Sequence, residues 1–218
     1  MSLQYIINSC SAFSINYRRL VTQALSRGGR VYTSEYPSSQ PFRISVKMHD
    51  YLYYPDVRAV IQNLDNLDKN NEEVINFSSV DPNLSWLVKY QGALTSTQLA
   101  AITITSFTGN IFTMNIPVGL TAGTVIFAQG DFIQPANSRY AYKVRNQVVV
   151  PATGTTITVS VHRPIIGTIN TGTTIVVGSN VTIPVIMTVN PITQFSPMSN
   201  GAYVGWSGNF ELLENIIG

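Results

Sequence analysis

From Leu94 onward the chain is a series of short Thr-, Val- and Ile-rich segments cut at close intervals by Gly109, Gly119, Gly123, Gly130, Gly154, Gly167, Gly172 and Gly178. Segments this short suit strands better than helices, and glycine supplies the turn conformations between them. Alternation gives the same reading. Tyr140, Tyr142 and Val144 alternate with Ala141, Lys143 and Arg145, and Ile157, Val159 and Val161 alternate with Thr158, Ser160 and His162. Regular short strands with turn signals between them predict a small barrel or sandwich.

The first ninety residues differ in character. Val57, Val60, Ile61, Leu64 and Leu67 recur at three- and four-residue steps and predict one amphipathic helix over 54–69. Pro55 and Asp56 suit its start, and Asn70-Asn71 its stop. Strands are expected at Phe13 to Leu25 and Val31 to Tyr36, around Ser26-Arg27-Gly28-Gly29-Arg30. The paired glycines favour a tight hairpin. Backbone amides there also suit phosphate, but the Gly-Lys-Ser/Thr ending of a P-loop is missing. Pro41 to Met48 alternates as a half-buried strand, and Glu73 to Phe77 and Ser85 to Gln91 read as two more. Tyr203 to Leu213 returns to this aromatic, strand-like texture. The expected fold is therefore mainly β: an α+β body, with a β-sandwich or barrel-like sheet packed by the helix, and an inserted all-β barrel-like module. The body would comprise residues 1–92 and 191–218, and the module residues 93–190.

Chemistry is sparse. Charged residues make up 11% of the 218, against about 25% in an average chain. A surface short of Lys and Glu suits packing against other chains. A net charge of +2 does not mark a nucleic-acid binder, and no run of about 18 apolar residues marks a membrane span. Cys10 stands alone, so a disulfide framework is not expected, and a reducing compartment fits best. The beginning MSLQYIINSC does not read as a signal peptide. His49 and His162 offer neither metal-ligand spacing nor a Gly-x-Ser-x-Gly elbow, and Gly205-Trp206-Ser207-Gly208-Asn209 ends in Asn. After Asp81 the acids are Asp131, Glu211 and Glu214, too few to read a glycosidase pair with any force. No catalytic residue, cofactor or metal is expected.

Two constellations stand out. His162-Arg163-Pro164 reads either as an acid/base with an anion clamp, or as a strand end at Pro164 with Arg163 bonded to turn carbonyls or an acid such as Asp131. The second needs nothing unusual and is preferred. Asp131, after Gly130, reads as a turn residue whose side chain holds the following backbone. Tyr140, Tyr142, Tyr203 and Trp206 either stack on sugars or pack in a β core, and packing is preferred.

The phrases GTVIFAQGDFIQP, YAYKVRNQVVV, TTITVSVHRPII and GTTIVVGSNVTIPV, with the final GWSGNFELLE, resemble virion tail proteins of tailed bacteriophages. In that class a Gly-Asp turn, a Val-His-Arg-Pro-like strand end and a C-terminal aromatic–Glu strand mark a small β-barrel inserted into a distal-tail or tube-like domain. YRRLVTQALSRGGRVYTSE and PFRISVKMHDYLYYPDVRAVIQNLDNLD look like such a body. The resemblance implies a non-enzymatic structural component of a tail or baseplate. Such a protein would be made in the host cytoplasm, reside in the virion tail, and form a homo-oligomeric ring, hexamer or trimer, with other tail proteins. No membrane and no specific nucleic acid would be involved.

The charge layout suits ring contacts. Seven of the thirteen basic residues precede position 60, and an acidic stretch from Asp56 to Asp81 follows. Arg18, Arg19, Arg27 and Arg30 of the hairpin are candidates to meet Asp65, Asp68, Glu72 and Glu73 of a neighbour, although intramolecular pairing competes. The alternative function is a carbohydrate- or receptor-binding β module of a phage adhesion device.

Overall fold

A computed structural model describes residues 2–17, 21–25, 31–35, 40–65, 72–187, 195–197, 202–206 and 208–216. The fold is mainly β, and among the described residues every ladder between strands is antiparallel.

A five-stranded sheet runs in the order Cys10–Asn16, Arg43–Met48, Asn209–Glu214, Thr182–Met187 and Glu73–Asn76. Alternation in each strand sends one set of side chains inward. Register then aligns them in rows: Phe13 beside Val46 beside Phe210, and Ile15 beside Ile44 beside Leu212. Arg43 and Lys47, on the other face of their strand, are exposed, so the wet basic face expected there is present.

Two helices help close this core. In Ser2–Asn8, Leu3, Ile6 and Ile7 are buried, and all three belong to the core beneath the sheet. Gln4 of the same helix accepts from the Asn76 N–H at 2.9 Å and donates to the Asn76 carbonyl at 3.0 Å. Its amide thereby satisfies backbone groups at the outermost strand, which would otherwise face solvent unpaired. The helix predicted by periodicity spans Tyr54–Asp65, with Val57 and Leu64 buried and Val60 and Ile61 half-buried. Leu67 and the expected Asn70-Asn71 stop lie outside the described residues. The expectation of a single helix is corrected. Ser2–Asn8 is too short for its periodicity to stand out, and Ser96–Ala100 is defined by its cap instead. There Thr95 and Gln98 form a capping box, each side chain bonded to the other's backbone N–H.

A second hydrophobic core lies within the Gly-punctuated region. A meander of Thr103–Thr108, Ile111–Asn115 and Thr156–Ser160 packs with shorter ribbons, among them Val125–Phe127 and Phe132–Pro135. Ile104, Phe112, Met114, Ile126, Tyr142 and Val159 lie at its centre. Short antiparallel ribbons around one core give a barrel-like unit. Thr108 pairs with Ile111, leaving Gly109-Asn110 as a two-residue loop, and Gly109 takes the φ of +58° that such loops demand.

Several expected boundaries move. Thr182–Met187, expected in the inserted module, lies between Glu73–Asn76 and Asn209–Glu214 in the five-stranded sheet. The Thr-, Val- and Ile-rich texture continues into it, so composition gave no sign of the change of sheet. Ser85 to Gln91 is no strand: Asp81-Pro82-Asn83 starts a helical turn in which Leu84 and Ser85 donate to the Asp81 carbonyl. Tyr203 to Leu213 is two strands in different sheets, Tyr203–Trp206 and Asn209–Glu214, with Gly208 at φ +101° between them. Cys10–Asn16 and Val21–Leu25 are likewise separate strands in different sheets. Val21–Leu25 pairs with Val31–Glu35 as the arms of the predicted hairpin, and its Gly-Gly loop lies outside the described residues.

Candidate functional site

His162 and Arg163 follow strand Thr156–Ser160, where Val161 makes a last bridge to Val144. The His162 N–H donates to the Lys143 carbonyl at 2.9 Å, and the Lys143 N–H donates to His162 Nδ1 at 3.0 Å. Because Nδ1 accepts, the neutral ring carries its proton on Nε2. That Nε2 is buried and has no hydrogen-bond partner among the described residues. The ring stacks on Phe42 at 4.7 Å and meets the Tyr17 ring edge-on at 4.8 Å. Burial first, and then the Arg163 charge, push the His162 pKa down to about 2. An imidazole with one nitrogen committed to the backbone and the other sealed away cannot exchange protons with a substrate.

Arg163 is among the largest fully buried side chains. Its Nη1 lies 2.5 Å from Glu214 Oε2 and its Nη2 lies 2.6 Å from Oε1, a bidentate pair in which neither side chain is exposed. Nη1 also donates to the Gln40 carbonyl at 3.1 Å, and Nη2 to the Ala141 carbonyl at 2.9 Å. Glu214 Oε2 accepts in addition from the Phe42 N–H at 2.9 Å. The rings of Phe42, Tyr140 and Tyr142 surround the guanidinium at 5.3 to 5.8 Å. Among the described residues, Nε of the guanidinium has no partner.

Both constellations thus sit in the frame. The acid expected beside Arg163 is Glu214 and not Asp131. Glu214 follows Phe210 and Leu212 on the inward face of its strand, and a carboxylate at an inward position requires a buried cation. That alternation in NFELLE was the available signal. Arg163 does bond carbonyls, those of Gln40 and Ala141, which do not belong to turns as expected, and Pro164 follows the last bridge. Asp131, one residue before strand Phe132–Pro135, accepts from the Ala128 N–H at 2.8 Å and from the Gln91 N–H at 2.9 Å. It therefore holds preceding backbone, contrary to expectation. Its Oδ2 closes the Ala128–Asp131 turn, and its Oδ1 fastens the segment leading into the second core. Burial raises its pKa and the two N–H bonds oppose that rise.

Of the candidate assembly residues, Arg18, Arg19, Arg27, Arg30, Asp68 and the side chain of Asp65 lie outside the described residues. Glu72 is held by Arg139 and by Asn215 Nδ2, and Glu73 accepts from the Leu3 N–H at 2.9 Å. These two acids have intramolecular partners. Among the aromatic residues weighed for sugar stacking, Tyr140 and Tyr142 are buried, whereas Tyr203 is 43% exposed, with its ring 5.6 Å from that of Tyr53. The Trp206 side chain lies outside the described residues.

Among the described residues no cluster of three His, Cys, Asp or Glu has the placement to hold a metal, and no helix is long and apolar enough to cross a membrane. No protein-family model matches the chain, and no curated protein matches it.

Proposed function

We propose that the chain is a non-enzymatic structural component of a bacteriophage tail or baseplate, assembling as a ring with other virion tail proteins. The observation that carries the structural half of this reading is the use of His162, Arg163 and Glu214. The residues with the most catalytic appearance are sealed in the interior, where they bind strands to one another. The tail assignment draws on the layout resemblance, and the 11% charge content fits a chain surrounded by others. Because Glu72 and Glu73 have internal partners, the ring contact is drawn between Arg18, Arg19, Arg27 and Arg30 and a neighbour's Asp65 and Asp68. Such contacts set register and association rate more than affinity.

Co-assembly with the adjacent tail proteins tests this. Arg27→Glu with Arg30→Glu is expected to impair incorporation while leaving the monomer folded, and Asp65→Lys with Asp68→Lys to restore part of it. Incorporation unchanged by the first pair would remove the proposed contact.

A second reading, a carbohydrate- or receptor-binding module, has one observation in its favour. Tyr51, Tyr53 and Tyr203 share a face of the Tyr51–Tyr53 and Tyr203–Trp206 ladder and are 65%, 46% and 43% exposed. Exposed rings in a row offer stacking surface. Glycan binding lost in Tyr53→Ala would favour this reading over the first.

A further inference from the structure

Four polar side chains with no ion-pair or hydrogen-bond partner among the described residues line a single cleft. Lys143 and Arg145 supply two cations, and Gln129 and Asn146 supply two amides, in an open space of about 460 Å³ that also borders Tyr17 and Gly130. Neither cation takes part in an ion pair, and neither amide in a hydrogen bond, among the described residues.

The setting of Lys143 sharpens the chemistry. Its Nζ lies 5.5 Å from the centre of the Tyr17 ring and 5.6 Å from that of Phe132. The side chain is half-buried, and burial lowers its pKa. A cation partly withdrawn from water, with no carboxylate paired to it among the described residues, gains more from an arriving anion than an exposed one, because the local dielectric is lower. Behind the cleft His162 stays neutral, so it adds no third charge. Arg145, exposed at the rim, presents a planar fork that fits a carboxylate through two hydrogen bonds.

Size and the amides select among anions. Small-molecule sites run to roughly 300–1,000 Å³, and a lone acidic side chain would leave most of this cleft to water. Gln129 and Asn146 are exposed and each carries both donors and an acceptor, the complement of neighbouring hydroxyl groups. We infer that the cleft between Tyr17, Gln129, Lys143, Arg145 and Asn146 binds a carboxylated sugar, a uronate, with its carboxylate on Lys143 and Arg145 and its hydroxyls on the two amides. This site rests on neither reading of the protein's overall role.

Isothermal titration of the full chain tests it with four probes: an oligogalacturonate, the neutral oligogalactose, inorganic phosphate and a polyglutamate peptide. Saturable binding of the oligogalacturonate is expected, with little for the other three. Arg145→Ala, an exposed change that leaves the fold intact, weakens it by roughly tenfold or more, the loss of a charge-assisted contact. Arg58→Ala, on an exposed helix face away from the cleft, leaves it unchanged. Equal binding of the neutral sugar, or of phosphate, would overturn the uronate assignment, and tighter binding of polyglutamate would assign the cleft to an acidic protein segment instead. No saturation by the oligogalacturonate, or an Arg145→Ala variant that binds as the parent does, would overturn the site itself.

Discussion

Arg163 and Glu214 meet through two parallel hydrogen bonds of 2.5 and 2.6 Å, although they come from different cores of the fold. Arg163 follows a strand of the barrel-like unit, and Glu214 ends a central strand of the five-stranded sheet. The guanidinium also donates to the carbonyls of Ala141 and Gln40. The pair therefore fixes how the two cores abut.

Removing one partner leaves a bare charge in an apolar interior. Arg163→Met or Glu214→Leu alone is expected to cost about 3–5 kcal/mol, while the double substitution costs less than the sum of the two, the remainder being the Gln40 and Ala141 carbonyls and the Phe42 N–H left unpaired. Urea midpoints of the four proteins measure it. Single losses that simply add in the double variant would show that the two residues do not act as a pair.

His162 makes stability depend on pH with a definite sign. An unfolded histidine titrates near pH 6.5, roughly, whereas the folded ring titrates at about 2. Between those values the unfolded chain binds a proton that the folded chain refuses. The contribution is complete above the unfolded value and is lost as pH falls below it, by up to about 1.4 kcal/mol per pH unit. His162→Asn retains an acceptor for the Lys143 N–H and cannot titrate. Its unfolding free energy should fall less than the parent's between about pH 7 and pH 4.5. Equal falls would place His162 in solvent.

The helix Tyr54–Asp65 presents Leu64 to the core and Gln62 to water. Leu64→Ala is expected to cost roughly 2–5 kcal/mol and Gln62→Ala little. Denaturant midpoints that drop equally would overturn the assignment of the buried face.

Gly178 has φ +67°, and a Cβ there would lie 2.8 Å from the Tyr90 backbone nitrogen. Strain and collision add, so Gly178→Ala should destabilise by more than about 1 kcal/mol. Gly109, at φ +58°, has open space where its Cβ would stand, so Gly109→Ala meets the strain alone. Thermal melts in which the Gly109 variant loses more than the Gly178 variant would contradict the close approach to Tyr90.

Legibility in the sequence followed the range of the interactions. The Tyr54–Asp65 helix, the Arg43–Met48 strand and the hairpin arms are written in local periodicity and turn residues, and they were readable. The ladder from Thr182–Met187 to Glu73–Asn76 joins segments more than one hundred residues apart, and nothing in either segment names its partner. The clamp was half legible. A Val-His-Arg-Pro strand end pointed to an arginine bonded to carbonyls or an acid, but the expected acid was Asp131, and the alternation of NFELLE that puts Glu214 inward is the signal that names the right one. Only the fold brings them together across 51 positions. The Lys143 cleft had no sequence signal, because Gln129, Lys143 and Asn146 are ordinary residues of turns and short strands. Tyr17 reaches it from the other end of the chain.

The central claim, that this chain is built into a tail ring, is tested most directly by cryo-electron microscopy of the assembled virion. The account predicts density for this fold in a closed ring coaxial with the tail, with the 21–35 hairpin of one copy against the helix end near Asp65 of the next. Density for the chain in the capsid or at a host-facing fibre tip, outside any tail ring, would contradict it.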